Sequence, residues 1–462
     1  MAAIVTDSFR RNNAKFFLQD IASSSTNYYV GLGKSNKWTL DEESLLPGDI
    51  PVSLGIEGEN TEIKSNLVTL LKINSTNAER VIPHIKWKAG AHYKAYSPYD
   101  PDCFYPSVLE GEVEINPCYA VVSGRIYLCL QAGQEGTAGI PVATDYRATT
   151  VGGDGYVWIL IDNISTALSK LITDQFINIT SGTASAAVAP TIQADGGGLL
   201  YGFSVLSPGD GYGSLNTVTF VARYSNGTTA EIDCPVVTDP DTGLLKNVLL
   251  PANWSYTATT SKLIVDGYFK IASTGSGAVI VPHIAPLRGF AYEPTITLPS
   301  WFVGIAVDAA DDISSDGFYV PYRQISVIKD VQYSEGASPD TLGAARYLTL
   351  NSAPNSGIAI GDILTITSGE SRVNAYADSY KAIDVEGTIF HRLYFHQNSV
   401  TGYGIIPNTG TVTDSKGTSV AYSAVNDNEY IPRTGTVIFT ENRKPINRQS
   451  GQTEEIKIII QF

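Results

Sequence analysis

The 462-residue chain has little with which to do covalent chemistry: one methionine, four cysteines and five histidines. Cys103, Cys118, Cys129 and Cys234 form no Cys-x-x-Cys pair, and no histidine stands at metal-ligand spacing from them. That leaves no zinc or redox motif to build on. The cysteines read as free buried thiols of a reducing compartment, with one disulfide, Cys118–Cys129, as the alternative. No Gly-x-Ser-x-Gly elbow is present, and none of His84, His92, His283, His391 and His396 pairs with an obvious Ser or Cys nucleophile. His391 and His396 lie five apart in an expected strand and would point to opposite faces. No catalytic residue, cofactor or metal ligand is therefore expected. Paired-carboxylate glycoside hydrolysis leaves no mark in sequence spacing and stands as a third-ranked reading.

Charge is scarce and one-sided. Only 17% of residues are charged, and acids outnumber bases 46 to 31, a formal net charge of −15. Such a surface repels phosphate backbones and anionic headgroups, so neither nucleic acid nor a membrane is the expected partner. No apolar run is long enough to span a bilayer. Met1–Asp7 does not read as a signal peptide, because Arg10, Arg11 and Lys15 follow its short apolar run instead of preceding it. The expected place of synthesis is the cytoplasm, and the expected place of action is there or in a particle assembled there.

What the chain has in quantity is glycine (42), tyrosine (26), and Thr, Ser, Val and Ile, a composition of strands and turns. The fold class expected is mainly β. Thr6 or Asp7 can cap a helix through Phe9, Phe16, Phe17, Leu18 and Ile21 to about Ala22. A second helix is expected over Thr61–Lys72, with Ile63, Leu67, Leu70 and Leu71 on one face. Tyr28–Gly33 reads as a strand. Ala120–Ser123 and Arg125–Leu130 read as a hairpin around Gly124, and the wholly apolar Tyr156–Ile161 as a central strand. Between Thr173 and Pro286 charge thins and Gly, Thr and Ser dominate, which reads as a small inserted β-domain. The expected organisation is a β-body over 1–172, the insert over 173–286, and the rest of the body over 287–462. At the end of the sequence Ile456, Ile458, Ile460 and Phe462 alternate with Glu455, Lys457 and Gln461. That is the period of a strand with one buried face, expected to be sewn into a sheet.

Several motifs imitate sites. Gly31-Leu32-Gly33-Lys34-Ser35 ends like a P-loop, but Tyr28 stands where the first glycine belongs and no apolar periodicity follows. Asp308–Asp312 and Asp239–Gly243 hint at calcium. Counting from Asp239, however, the twelfth position, which should be Glu, is Leu250. Gly-Asp-Gly-Tyr occurs at Gly153 and at Gly209, at a spacing that suggests convergent turns.

Five collinear segments carry a resemblance. They are Ile4-Val5-Thr6 with Phe9-Arg10, Gly33-Lys34-Ser35 and Trp38; Val81-Ile82-Pro83 with Trp87; Gly153-Asp154-Gly155-Tyr156-Val157-Trp158; Arg323-Gln324-Ile325-Ser326-Val327-Ile328; and Glu441-Asn442-Arg443, Pro445-Ile446 and Gln452-Thr453-Glu454-Glu455-Ile456. In these the chain resembles the baseplate wedge protein of T-even-like contractile-tailed bacteriophages, the gene-product-eight family. The resemblance implies a layered antiparallel β-sandwich with helix-bearing loops, assembled as a homodimer. It also implies a structural place in the virion, in the tail baseplate wedge, in contact with other baseplate wedge proteins and taking part in the baseplate's conformational switch at infection. The chain is longer than the family pattern, chiefly in Thr173–Pro286 and parts of Asn351–Tyr430. The alternative reading is a receptor- or carbohydrate-binding tail module carried by the insert.

Overall fold

The computed structural model describes residues 6–33, 63–109, 113–132, 141, 149–150, 155–179, 198–213, 215–252, 254, 263–286, 289–309, 322–336, 339–385, 387–398, 400–446 and 454–462. Strand accounts for 52% and helix for 9%, which makes the protein mainly β. The chain forms two compact units. The first comprises Met1–Phe16, Glu79–Gly304 and Ile459–Phe462, the second Phe17–Ala78 and Ile305–Ile458. No helix among the described residues is long and apolar enough to cross a membrane.

The N-terminal helix runs Asp7–Ile21. The Thr6 hydroxyl accepts a hydrogen bond from the Phe9 amide at 3.3 Å, satisfying one of the amides that a helix start leaves orphaned. Ala14 and Ile21 are buried, whereas Phe9 and Phe16 face solvent. The second expected helix does not form. Residues 63–65 are helical, and Leu67–Ile73 is a strand buried on both faces. A short run apolar all round satisfies helix and strand periodicity alike, and pairing on both sides decided for the strand.

In the first unit, Tyr119–Val122, Arg125–Gln131, Val157–Asn163 and Thr149–Thr150 make a four-stranded antiparallel sheet in that order. Ser123 and Gly124 both have positive φ (47° and 78°), the signature of a tight two-residue hairpin turn. Side chains alternate between two cores. Tyr119, Val121, Ile126, Leu128, Ile159 and Ile161 enter one; Ala120, Tyr127, Cys129, Trp158 and Leu160 enter the other. A strand buried on both faces must be apolar throughout, and Val157–Asn163 does lie inside the sheet.

Residues 200–284 hold a core of their own within this unit. Leu200–Asp210 pairs with Ser276–Ile284, and Leu245–Val248, Thr229–Thr238, Thr217–Tyr224 and Ile264–Lys270 form a second sheet. Phe203, Phe220 and Phe269 meet at 5.1–5.4 Å between ring centroids. Mutual contacts at that range contribute beyond simple area burial.

The second unit contains a five-stranded antiparallel sheet ordered Thr341–Gly343, Leu67–Ile73, Tyr28–Gly33, Tyr322–Lys329 and Thr436–Ile446. It also contains a closed six-stranded barrel, Arg346–Leu350, Thr388–His396, Ser371–Val385, Ile363–Ser368, Gly410–Thr413 and Ser419–Asn426. Leu348, Leu364, Ile366, Leu393, Phe395 and Val412 fill it. Closure removes the unpaired edges of its sheet. The final strand, Glu454–Gln461, is paired into a sheet, buries Ile456 and Ile458, and ends where the Phe462 amide donates to the Trp301 carbonyl at 3.0 Å.

Candidate functional site

Of the residues carrying the resemblance, Ile4, Val5, Lys34, Ser35, Trp38, Gly153, Asp154, Gln452 and Thr453 lie outside the described residues; those described after the first segment fall into two groups. The first group is an aromatic wall in the first unit. Trp158 is fully buried and stacks on Tyr156 at 6.0 Å, and Tyr93 meets it edge-on at 5.2 Å. Trp87 packs against the same cluster. The Tyr156 hydroxyl accepts from the Tyr93 amide, and the Tyr93 hydroxyl from the Lys88 amide. Burial pushes the Tyr93 phenol up. Pro83 ends the strand Ala78–Pro83, and its carbonyl accepts from the fully buried Tyr119 hydroxyl at 2.7 Å. Gly155, with φ 80°, turns the chain into this wall. The second Gly-Asp-Gly-Tyr copy does likewise, with Gly211 at 81° before buried Tyr212. Only glycine adopts such a φ without steric cost.

The second group is a polar seam in the second unit, between Tyr322–Lys329 and Thr436–Ile446. Arg323, Gln324, Ser326 and Asn442 are all buried. Gln324 and Asn442 are register partners, and Gln324 Nε2 donates to Asn442 Oδ1 at 2.9 Å. Ser326 Oγ donates to the Gly31 carbonyl at 3.3 Å. Arg443 pairs with Glu441, two residues away on the same strand, at 3.1 Å. The Tyr322 hydroxyl donates to Glu454 at 3.2 Å, and Glu455 pairs with Lys457 at 3.3 Å. Buried cross-strand groups such as Gln324 and Asn442 fix strand register, because a slipped pairing leaves them unsatisfied. Their hydrogen-bonding capacity is turned on one another, which suits tying strands together.

The imitations resolve into structure. Gly31 and Gly33 lie within a strand. A Cβ on Gly31 would meet Leu67 Cδ2 at 2.7 Å and Ser326 Oγ at 2.8 Å, so glycine is there for close packing. The Lys34-Ser35 part of the motif lies outside the described residues, as do residues 310–312 of the second acidic run. Asp239 accepts from the Asp241 and Thr242 amides and pairs with Lys246 at 2.8 Å, an acidic turn. The Lys246 contact, then those amides, lower its carboxyl to about 2. Among the described residues no group of three or more His, Cys, Asp or Glu side chains is arranged for a metal. The four cysteines are buried thiols outside any disulfide. The thiol that meets Cys118 is Cys103, at 3.5 Å, whereas Cys129 faces the opposite core. That corrects the Cys118–Cys129 alternative: alternation along the sheet separates the two side chains.

Two contacts of buried histidines escaped the sequence. In the first unit His283 Nε2 lies 2.6 Å from Ser204 Oγ, a cross-strand pair, and burial pushes its imidazole down to about 4. In the second unit His396 Nδ1 lies 2.6 Å from Asp378 Oδ1, with both residues buried. Asp378 is the extra residue of a β-bulge: Ala377 pairs with Phe395 and Ser379 with Tyr394. The bulge is what turns Asp378 toward His396. This pair lies on the wall of a cavity of about 340 Å³ that Lys64, Asn66, Arg346, Tyr403 and Arg433 also line.

No protein-family model matches this chain, and no curated protein matches it.

Proposed function

We propose that this chain is a structural, non-catalytic subunit of the baseplate wedge of a contractile bacteriophage tail. In this reading it is made in the host cytoplasm and carried in the virion as a homodimer. It holds neighbouring wedge proteins together and moves with them when the baseplate switches at infection. The observation that carries the reading is the chemistry of the seam. Two of the segments in which the sequence resembles the wedge family, Arg323–Gln324 and Glu441–Arg443, lie on paired strands, and Gln324 and Asn442 tie them together through their side chains. Residues common to a family through such ties maintain a scaffold. A scaffold that must stay stiff while subunits rotate needs internally satisfied, register-locked sheets. Large apolar side chains left in solvent supply mating surface: Ile405 is 89% and Val400 76% exposed, and Phe9 and Phe16 stand out on the N-terminal helix.

Light scattering on the purified full chain tests the homodimer. Mixing with the remaining wedge proteins of the same phage tests the assembly. The expected result is a dimer that co-elutes with at least one of them as a stable complex. A monomer that joins none of them overturns the proposal.

A further inference from the structure

The cavity in the second unit is built in a way that a strand tie does not require. We propose that it binds a small hydroxylated organic anion of the acidic-monosaccharide class. Its volume, about 340 Å³, is at the lower end of ordinary small-molecule sites, roughly 300–1,000 Å³.

Charge is the first argument. The protein carries a formal net charge of −15, yet this cavity is lined by three cations, Lys64, Arg346 and Arg433, against the one carboxylate of Asp378. Arg346 is engaged by Asp427 at 3.0 Å. Asp378 is engaged by His396 at 2.6 Å. Lys64 donates to the Gly435 carbonyl at 3.2 Å, and neither it nor Arg433 has a carboxylate partner among the described residues. Two uncompensated cations around a concave site attract a carboxylate.

The second argument is a buried acceptor. Asn66 is 4% exposed, and its Oδ1 has no hydrogen-bond partner among the described residues. A buried amide oxygen left unsatisfied is unfavourable, and a ligand hydroxyl satisfies it. The third is Arg433 itself. Its φ is 67°, a conformation in which glycine would be less strained, and its guanidinium lies 4.0 Å from the centroid of the Tyr403 ring. Such strain is retained where a side chain has work to do. The Arg433–Tyr403 stack offers a planar cation beside an apolar ring, which together suit the carboxylate and C–H face of an acidic sugar. The bulge that holds Asp378 against His396 fixes the imidazole on the same wall.

Calorimetric titration of the full chain with D-glucuronate, D-glucose and inorganic phosphate tests this. Saturable glucuronate binding is expected, with glucose and phosphate each markedly weaker. Arg433→Gly removes the guanidinium and relieves the backbone, and should weaken glucuronate roughly tenfold. Lys64→Gln provides an independent variant with the same expected direction. The proposal is overturned by any of three results: no saturable glucuronate binding, glucose or phosphate binding as tightly as glucuronate, or affinity unchanged in both variants.

Discussion

Gln324 and Asn442 stand 118 residues apart in sequence and face each other across two antiparallel strands, their buried carboxamides joined by one hydrogen bond of 2.9 Å. Each is the other's compensation for leaving water. The bond specifies register in a sheet whose other contacts are largely apolar and would tolerate a slip.

Removing one partner should therefore hurt more than removing both. Gln324→Leu or Asn442→Leu alone is expected to cost about 1–3 kcal/mol, because the remaining carboxamide stays buried and loses this bond. The double variant should recover much of that loss. Urea denaturation of the four proteins closes the cycle, and strict additivity of the two single effects would contradict the assignment.

Glu79 gives the first unit a pH dependence. Burial, partly offset by a hydrogen bond from Ser165, raises its carboxyl from 4.5 to about 7. Between those values the folded protein holds a proton that the unfolded chain has released. Stability from this group therefore falls as pH rises from about 4.5 to 7 and is flat above. Glu79→Gln should flatten that segment and stabilise the protein at pH 8 by on the order of 1–2 kcal/mol, after allowance for partial solvent screening. Thermal melts of both proteins across that range decide it; a wild-type slope of the opposite sign contradicts the burial argument.

Gly31 has no room for a methyl group. Its added Cβ would lie 2.7 Å from Leu67 and 2.8 Å from Ser326, in the middle of the five-stranded sheet. Gly31→Ala should destabilise by roughly 1–3 kcal/mol through overpacking. Adding Ser326→Gly should restore part of it. Folding at wild-type stability would show that the strands separate more easily than their packing implies.

Much of this was readable in advance wherever local signals agreed. The N-terminal helix follows from a Thr cap and spaced apolar residues. The hairpin at Ser123-Gly124 follows from its turn residue, and the inner strand at Val157–Asn163 from the uninterrupted apolarity of Tyr156–Ile161. Over Leu67–Ile73 the sequence points both ways, because Leu67, Leu70 and Leu71 suit a helical face as well as a strand buried on both sides. The Asp378–His396 pair was beyond reach. A hairpin closing at Val385 and Thr388 sets a register that the bulge at Asp378 then shifts by one residue, and nothing local announces the shift. Ser204 and His283 meet only because their distant strands pair.

The sequence by itself determined the class. Its β-branched and aromatic residues and its glycine-punctuated runs dictate antiparallel strands, since those side chains pack on pleats and those turns reverse the chain. Only the tertiary structure decided which strands are neighbours. That choice closed residues 346–426 into a barrel, joined Gln324 to Asn442, and gathered Lys64, Asn66, His396 and Arg433 around one cavity. The physical reason is that strand pairing is non-local. Each backbone ladder accepts many partners, and the selection comes from the summed burial and hydrogen bonding of side chains far apart along the chain.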